Sequence, residues 1–281
     1  MRLDNTSRKR LALIGRVLIL AFFLLLVMLP IYWMLITSLK TTRDINTLDI
    51  QYIPKHPTLE NYISVLTTTQ FLTYVKNSLI VSLATAAIVL LVAVTGGYAL
   101  ARYRYKGKNS TMVGFLITQM IPITLILIPM FIILNNVGLG DTLGGLIVLY
   151  VALNTPFCVI TMQGFFANIP VAIEEAAAID GCNKLQTLIR VILPVMLPGI
   201  IAVFIFAFIG AWNDLLGGVM FINSEAKKTI PVGLSKYVGQ FAVNWGEMCA
   251  GCMLALFPSA LLFAFAQKYI VEGMTSGSVK G

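Results

Sequence analysis

Ile169-Pro-Val-Ala-Ile-Glu-Glu-Ala-Ala-Ala-Ile-Asp-Gly181 runs directly into Cys182-Asn-Lys-Leu-Gln-Thr-Leu-Ile-Arg-Val-Ile-Leu-Pro194. Pro170 suits the first turn of a helix, where its missing N–H is no loss. Glu174 and Glu175 then fall in the N-terminal turns, where negative charge is favourable against the helix dipole. Ala176, Ala177 and Ala178 favour helix and leave a thin surface that another body can approach closely. Gly181 is a natural stop, since glycine adopts the left-handed conformation after a helix end without steric penalty. A second helical stretch is expected from about Lys184 to Val191, with Pro194 introducing the segment that follows. The pattern predicts two short helices set at an angle. Ile173, Ala177 and Ile179 can face apolar surface while Glu174, Glu175 and Asp180 stay wet.

The chain around this hairpin is 281 residues long, 58% hydrophobic and 11% charged. A soluble domain cannot hide that much apolar surface, because its exterior needs polar cover. Lipid can, and one span takes about 20 mostly apolar residues. Six runs qualify, at about Leu13 to Ile36, Val75 to Leu100, Thr111 to Leu134, Leu143 to Phe166, Val195 to Leu216 and Cys249 to Val271. The first run is too long for a signal core and lacks a small-residue cleavage site, so it reads as a retained span. Pro122 and Pro129 should kink the third by removing backbone donors. The expected fold is therefore an all-α integral membrane protein. It has six transmembrane helices over 13–271, with the hairpin loop 167–194 between the fourth and fifth.

Charge sets the orientation. The net charge is +8, but Arg2, Arg8, Lys9, Arg10 and Arg16 crowd the N-terminus, and Arg102, Arg104, Lys106 and Lys108 crowd one short loop. Basic residues beside apolar runs mark the cytoplasmic side and meet anionic headgroups, which favours membrane lipid over nucleic acid as the partner. Residues 1–12, 101–110, 167–194 and 272–281 then lie inside, with both termini cytoplasmic, and loops 37–74 and 217–248 face outward. The hairpin is thus cytoplasmic. Its acids would repel an anionic leaflet, so a protein with a basic groove fits it better than headgroups do.

Candidate chemistry is sparse. No span carries a charge at its centre, which weighs against a lone ion-coupled carrier. Asp214 and Asn213 read as a polar interface at the boundary of the fifth span. Cys249 and Cys252 form a C-x-x-C with no second pair, and the single histidine, His56, is far off in sequence, so packing is preferred over metal binding and no metal site is expected. The same lack of His, Asp or Cys clusters counts against a membrane enzyme. Ala93, Gly97 and Ala101 lie on one side of the second span and predict close helix packing. No G-x-x-x-x-G-K-[ST] loop is present, so the chain has no phosphate cradle of its own.

Glu175-Ala176-Ala177, then Gly181, then Val191-x-Leu193-Pro194 resembles the cytoplasmic coupling signature of bacterial binding-protein-dependent ABC importer permeases. Ile169-Pro170, Ile179-Asp180-Gly181 and Pro198 are similar to its carbohydrate branch, the maltose-type permeases. Val191 stands where isoleucine is usual, and Cys182 where alanine is common. Trp212-Asn213-Asp214, Lys228-Thr-Ile-Pro-Val-Gly-Leu234 and the ending from Val271 extend the likeness over most of the chain.

The resemblance implies a transport subunit in the bacterial cytoplasmic membrane, without an ATPase site, that forms half of a sugar pathway. The implied partners are a second homologous permease, two ATPase subunits that hold the ATP and magnesium, and an extracytoplasmic solute-binding protein. Glu174, Glu175, Ala176, Ala177, Asp180, Gly181, Leu193 and Pro194 become the coupling residues, with Glu175 paired to an arginine of the ATPase. Tyr237, Gln240, Asn244 and Trp245 become candidate contacts for the binding protein, and the tail 272–281 a candidate contact for the ATPase. Gln119, Tyr150, Asn154 and Thr155, in the kinked third and polar fourth spans, are candidates for hydroxyl recognition. Hydrogen bonding between helices competes with that role.

Overall fold

The computed structural model describes residues 5–239 and 242–276, with side chains over 13–239 and 242–268. Among these the chain is helical, apart from turns and one bridge between Val238 and Val243. It divides into two compact units, Met1–Thr69 with Lys236–Leu254, and Gln70–Ser235 with Ala255–Gly281.

The first unit opens with α1 (Asn5–Ser38), whose apolar stretch Leu13–Ser38 is exposed along most of its length and buried only at Ile36–Ser38. Such a surface requires lipid or another membrane subunit around it. Two short helices follow, α2 (Thr42–Ile45) and α3 (Glu60–Thr68). The end of α1 is tied to α3 by Asn61, whose amide donates to the Ser38 and Lys40 carbonyls at 2.9 and 2.8 Å. The buried Lys40 ammonium donates in turn to the Gln51 carbonyl at 2.6 Å. Ser64 donates to Glu247 at 2.9 Å, which brings in the first turns of α14 (Trp245–Ser276).

The second unit is built on α4 (Phe71–Arg102), α7 (Leu143–Ala167) and α11 (Leu197–Trp212). The backbones of α4 and α7 nearly touch at Gly97, where a Cβ would stand 2.9 Å from the Gln163 amide nitrogen. The Ala93–Gly97 face expected to pack does so, and both residues are buried. Between α4 and α7 run α5 (Lys108–Met120) and α6 (Ile123–Asn136), and a core of Val81, Leu127, Leu134, Leu149, Tyr150 and Phe221 closes around α6. Then come α8 (Val171–Ile179), α9 (Lys184–Gln186), a widened turn at Thr187–Ile192, and α10 (Leu193–Val195), all before α11. After it lie α12 (Leu216–Phe221) and α13 (Ile230–Ser235).

Among the described residues four helices are long and apolar enough to cross a membrane, and two bent pairs bring the number to six if each is one span. The expected kink in the third run is a 101° break between α5 and α6. It falls at Ile121–Pro122, while Pro129 is accommodated inside α6. The fifth run departs further from expectation. The stretch expected over 184–191 continues to Val195, and an 82° bend precedes α11. Pro198 in the first turn of α11, not Pro194, opens that helix. Pro194 sits in α10 behind the widened turn, which makes room for a ring that would strike the carbonyl one turn back in a regular helix.

At the end where α4 begins, loops are cross-tied by polar groups. Asn77 donates to the Ala226 and Lys228 carbonyls at 2.9 Å each, and Ser78 accepts from the Ile230 amide at 2.8 Å. Asp141, in the α6–α7 loop, accepts from the Asn223 and Ser224 amides at 2.9 and 3.0 Å, and pairs with Lys227 at 3.2 Å. The Ser224 hydroxyl and amide, with the Asn223 amide and Lys227 behind them, hold the Asp141 carboxyl well below the usual carboxylate range.

Candidate functional site: a capped hairpin at the end of α4

The α8 hairpin is closed by local bonds. Gly181 takes φ +85°, the Cys182 amide donates to the Ala177 carbonyl at 3.0 Å, and the Gly181 amide donates to Ala178 at 3.1 Å. These two bonds satisfy carbonyls that a helix end leaves open. Asn183 and Gln186 then bond reciprocally at 2.9 Å, side chain to amide in each direction, and start α9. Ala177 is buried with Thr187, Leu188 and Ile192, so α8 rests on the widened turn. Leu193 is half-buried and Pro194 exposed.

The two adjacent glutamates are placed differently. Glu174 does not stay wet as the hydropathy pattern predicts. Arg102, the last residue of α4, donates its Nε to the Glu174 carboxylate at 2.5 Å and its Nη2 to the Ile169 carbonyl at 2.9 Å. The Tyr98 hydroxyl donates to the other Glu174 oxygen at 3.0 Å. Both charged side chains are largely covered, at 12% and 15% exposure. The reason is angular: one residue along a helix turns the side chain by about 100°, so Glu174 faces α4 while Glu175 faces out. Glu175, Ala176 and Asp180 are exposed, and Ile179 stands 87% exposed at the tip.

A cavity of about 600 Å³ lies beside the hairpin, and Arg104, Lys108, Lys184, Glu175 and Cys182 help to line it. The Lys184 ammonium lies 5.0 Å from the centre of the Tyr103 ring. The surface is therefore mixed in charge, because the basic loop after α4 comes up beside the acidic helix.

The candidates for solute recognition are not brought together. Tyr150 is fully buried and its hydroxyl donates to Asp214 at 2.9 Å, which braces the loop after α11. Asp214 also accepts from the Gly217 and Gly218 amides at 2.8 and 3.2 Å and thereby starts α12. Asn154 and Thr155, half-buried, bond back to the Tyr150 and Val151 carbonyls of their own helix. Gln119 is exposed on α5.

In the first unit a groove of about 460 Å³ is lined by Asn244, Trp245, Lys236, Ile45 and Asn46. Asn244 and Trp245 are exposed, as surface contacts need to be. Tyr237 is not: it is buried beneath the turn, and burial together with the Glu247 carboxylate pushes its phenol up to about 12. Gln240 and the tail from 277 lie outside the described residues.

The model of the family described as binding-protein-dependent transport system inner membrane component matches residues 93–276. The diacetylchitobiose uptake system permease of Streptomyces coelicolor is 37% identical, over 90% of this chain and 91% of its own. The trehalose transport system permease of Mycobacterium tuberculosis is 34% identical, over 90% and 93%. A chain of a bacterial ABC transporter that imports alginate superposes with a TM-score of 0.81 at 23% identity, covering 96% of this chain and all of that one.

Proposed function

Because the chain belongs to the family of binding-protein-dependent transport system inner membrane components, we propose that it forms half of the membrane pathway of an ATP-driven carbohydrate importer. The observation that carries the coupling role is the capped α8 hairpin, rigid at its base and offering Glu175, Ala176, Asp180 and Ile179 on its free face. An exposed isoleucine beside acids suits a cleft with an apolar floor and a basic rim, and an ATPase subunit would supply it. Two such subunits, a second homologous permease and an extracytoplasmic binding protein complete the assembly. Closure of the ATPase pair around ATP and magnesium carries α8 along, and the spans alternate between inward-open and outward-open states.

The hairpin side is cytoplasmic in this reading, with 1–12 and 272–281 on the same side. The opposite loops, with Asn244 and Trp245, receive the binding protein. Carbohydrate is favoured by the diacetylchitobiose and trehalose relatives. The test is to purify the tagged chain from its native membrane and assay uptake in vesicles with its cognate binding protein. Recovery with an ATPase and a second permease, and ATP-dependent uptake of labelled trehalose or diacetylchitobiose or its competition by a sugar panel, supports the reading. Recovery as a lone active species, or transport indifferent to every sugar, overturns it.

A further inference from the structure

Resting on that coupling role, we propose that Glu174 is a positioning residue, which locks the coupling helix to α4 and leaves the ATPase contact to Glu175. Three observations support this. The Glu174 carboxylate is filled from inside the chain: Arg102 takes one oxygen and Tyr98 the other. Arg102 is bidentate in a second sense, because its fork also holds the Ile169 carbonyl, where α7 gives way to α8. Tyr98 is itself wedged, its ring edge-on to Phe166 at 5.3 Å, just beside Gly97, where α4 and α7 meet backbone to backbone. One cluster thus joins the end of α4, the end of α7 and the first turn of α8.

The consequence is mechanical. A hairpin tethered only through its two chain connections would swivel when its tip is pushed. A charge-assisted pair largely out of water resists that rotation, since breaking it strands a covered charge. The three helix ends then move as one body, and a displacement delivered at Glu175 reaches α4 as well as α7. Neighbouring glutamates divide the work: one grips the partner and the other grips the span.

The test uses the assembled transporter in lipid nanodiscs, with Cys158, Cys249 and Cys252 replaced by alanine. Spin labels on native Cys182 and on Tyr105→Cys report the distance from the hairpin to the segment just past α4. The expected result is one narrow distance peak, unchanged between the nucleotide-free and ATP-bound states. Glu174→Gln should lose that peak to a broad distribution while still co-purifying with the ATPase subunits. Arg102→Lys, a milder change, keeps the charge but cannot hold both Glu174 and Ile169, and should also broaden the distribution. A peak as narrow in Glu174→Gln and Arg102→Lys as in the parent overturns the lock. Loss of the ATPase subunits from Glu174→Gln overturns the division of labour. Glu175→Lys separates the two readings: if it retains the ATPase subunits and full transport, the docking role fails, whatever the labels report.

Discussion

Gly181 turns the chain with φ +85° and donates its amide to Ala178, so the position needs both a missing side chain and a present N–H. Gly181→Ala should lower stability by about 1 kcal/mol from the positive φ, and Gly181→Pro should do worse by also deleting the donor. Thermal unfolding in detergent reads the first, and loss of ATP-driven transport with the spans still folded reads the second. Asp141 offers a titration. Its carboxyl is held below its ordinary value of 3.8, so the stability it contributes is fully present above that value and lost as pH falls from there through the lower folded-state value. The unfolding midpoint of the parent should exceed that of Asp141→Asn at neutral pH, and the gap should close on acidification. A gap constant with pH would remove Asp141 from that role. The glycine stop was legible because a local rule governs it. The partners of Glu174 and Asp141 were not, for they come from Arg102, Asn223, Ser224 and Lys227, far off in sequence, and no local pattern encodes such pairs.

Helices read well from hydropathy and their breaks less well. The runs at 75–100 and 143–166 match α4 and α7 closely because both are continuous and apolar. Pro122 and Pro129 look alike in sequence, yet one ends a helix and the other is absorbed within it. The difference lies in what surrounds each: Leu127 and Leu134, either side of Pro129, are pinned in the core, while α5 buries no residue at all. The small-residue face of α4 supports a sharper prediction. Gly97→Ala forces a methyl against the α7 backbone and should cost about 1–3 kcal/mol. Gly96→Ala places its methyl 3.5 Å from the Val159 side chain, an ordinary contact, and should be near neutral. Equal midpoints for the two variants in a thermal melt would contradict the close approach of α4 and α7.

The whole molecule is a helical membrane component, and its basic residues favour the proposed orientation with the hairpin inside. In intact cells an impermeant maleimide should modify Leu48→Cys and leave Tyr105→Cys unmodified, each introduced into a cysteine-free chain. The reverse pattern would invert the topology and put the hairpin outside. Ile179 is the most telling residue of that hairpin, 87% exposed at the tip of α8. The direct measurement places a photoactivatable cross-linker at position 179 in native membranes, with position 20 of α1, 68% exposed, as control. The expected result is an adduct with an ATPase subunit from position 179 and none from position 20. Adducts with lipid alone from position 179, in membranes where the assembled complex is present, would contradict it.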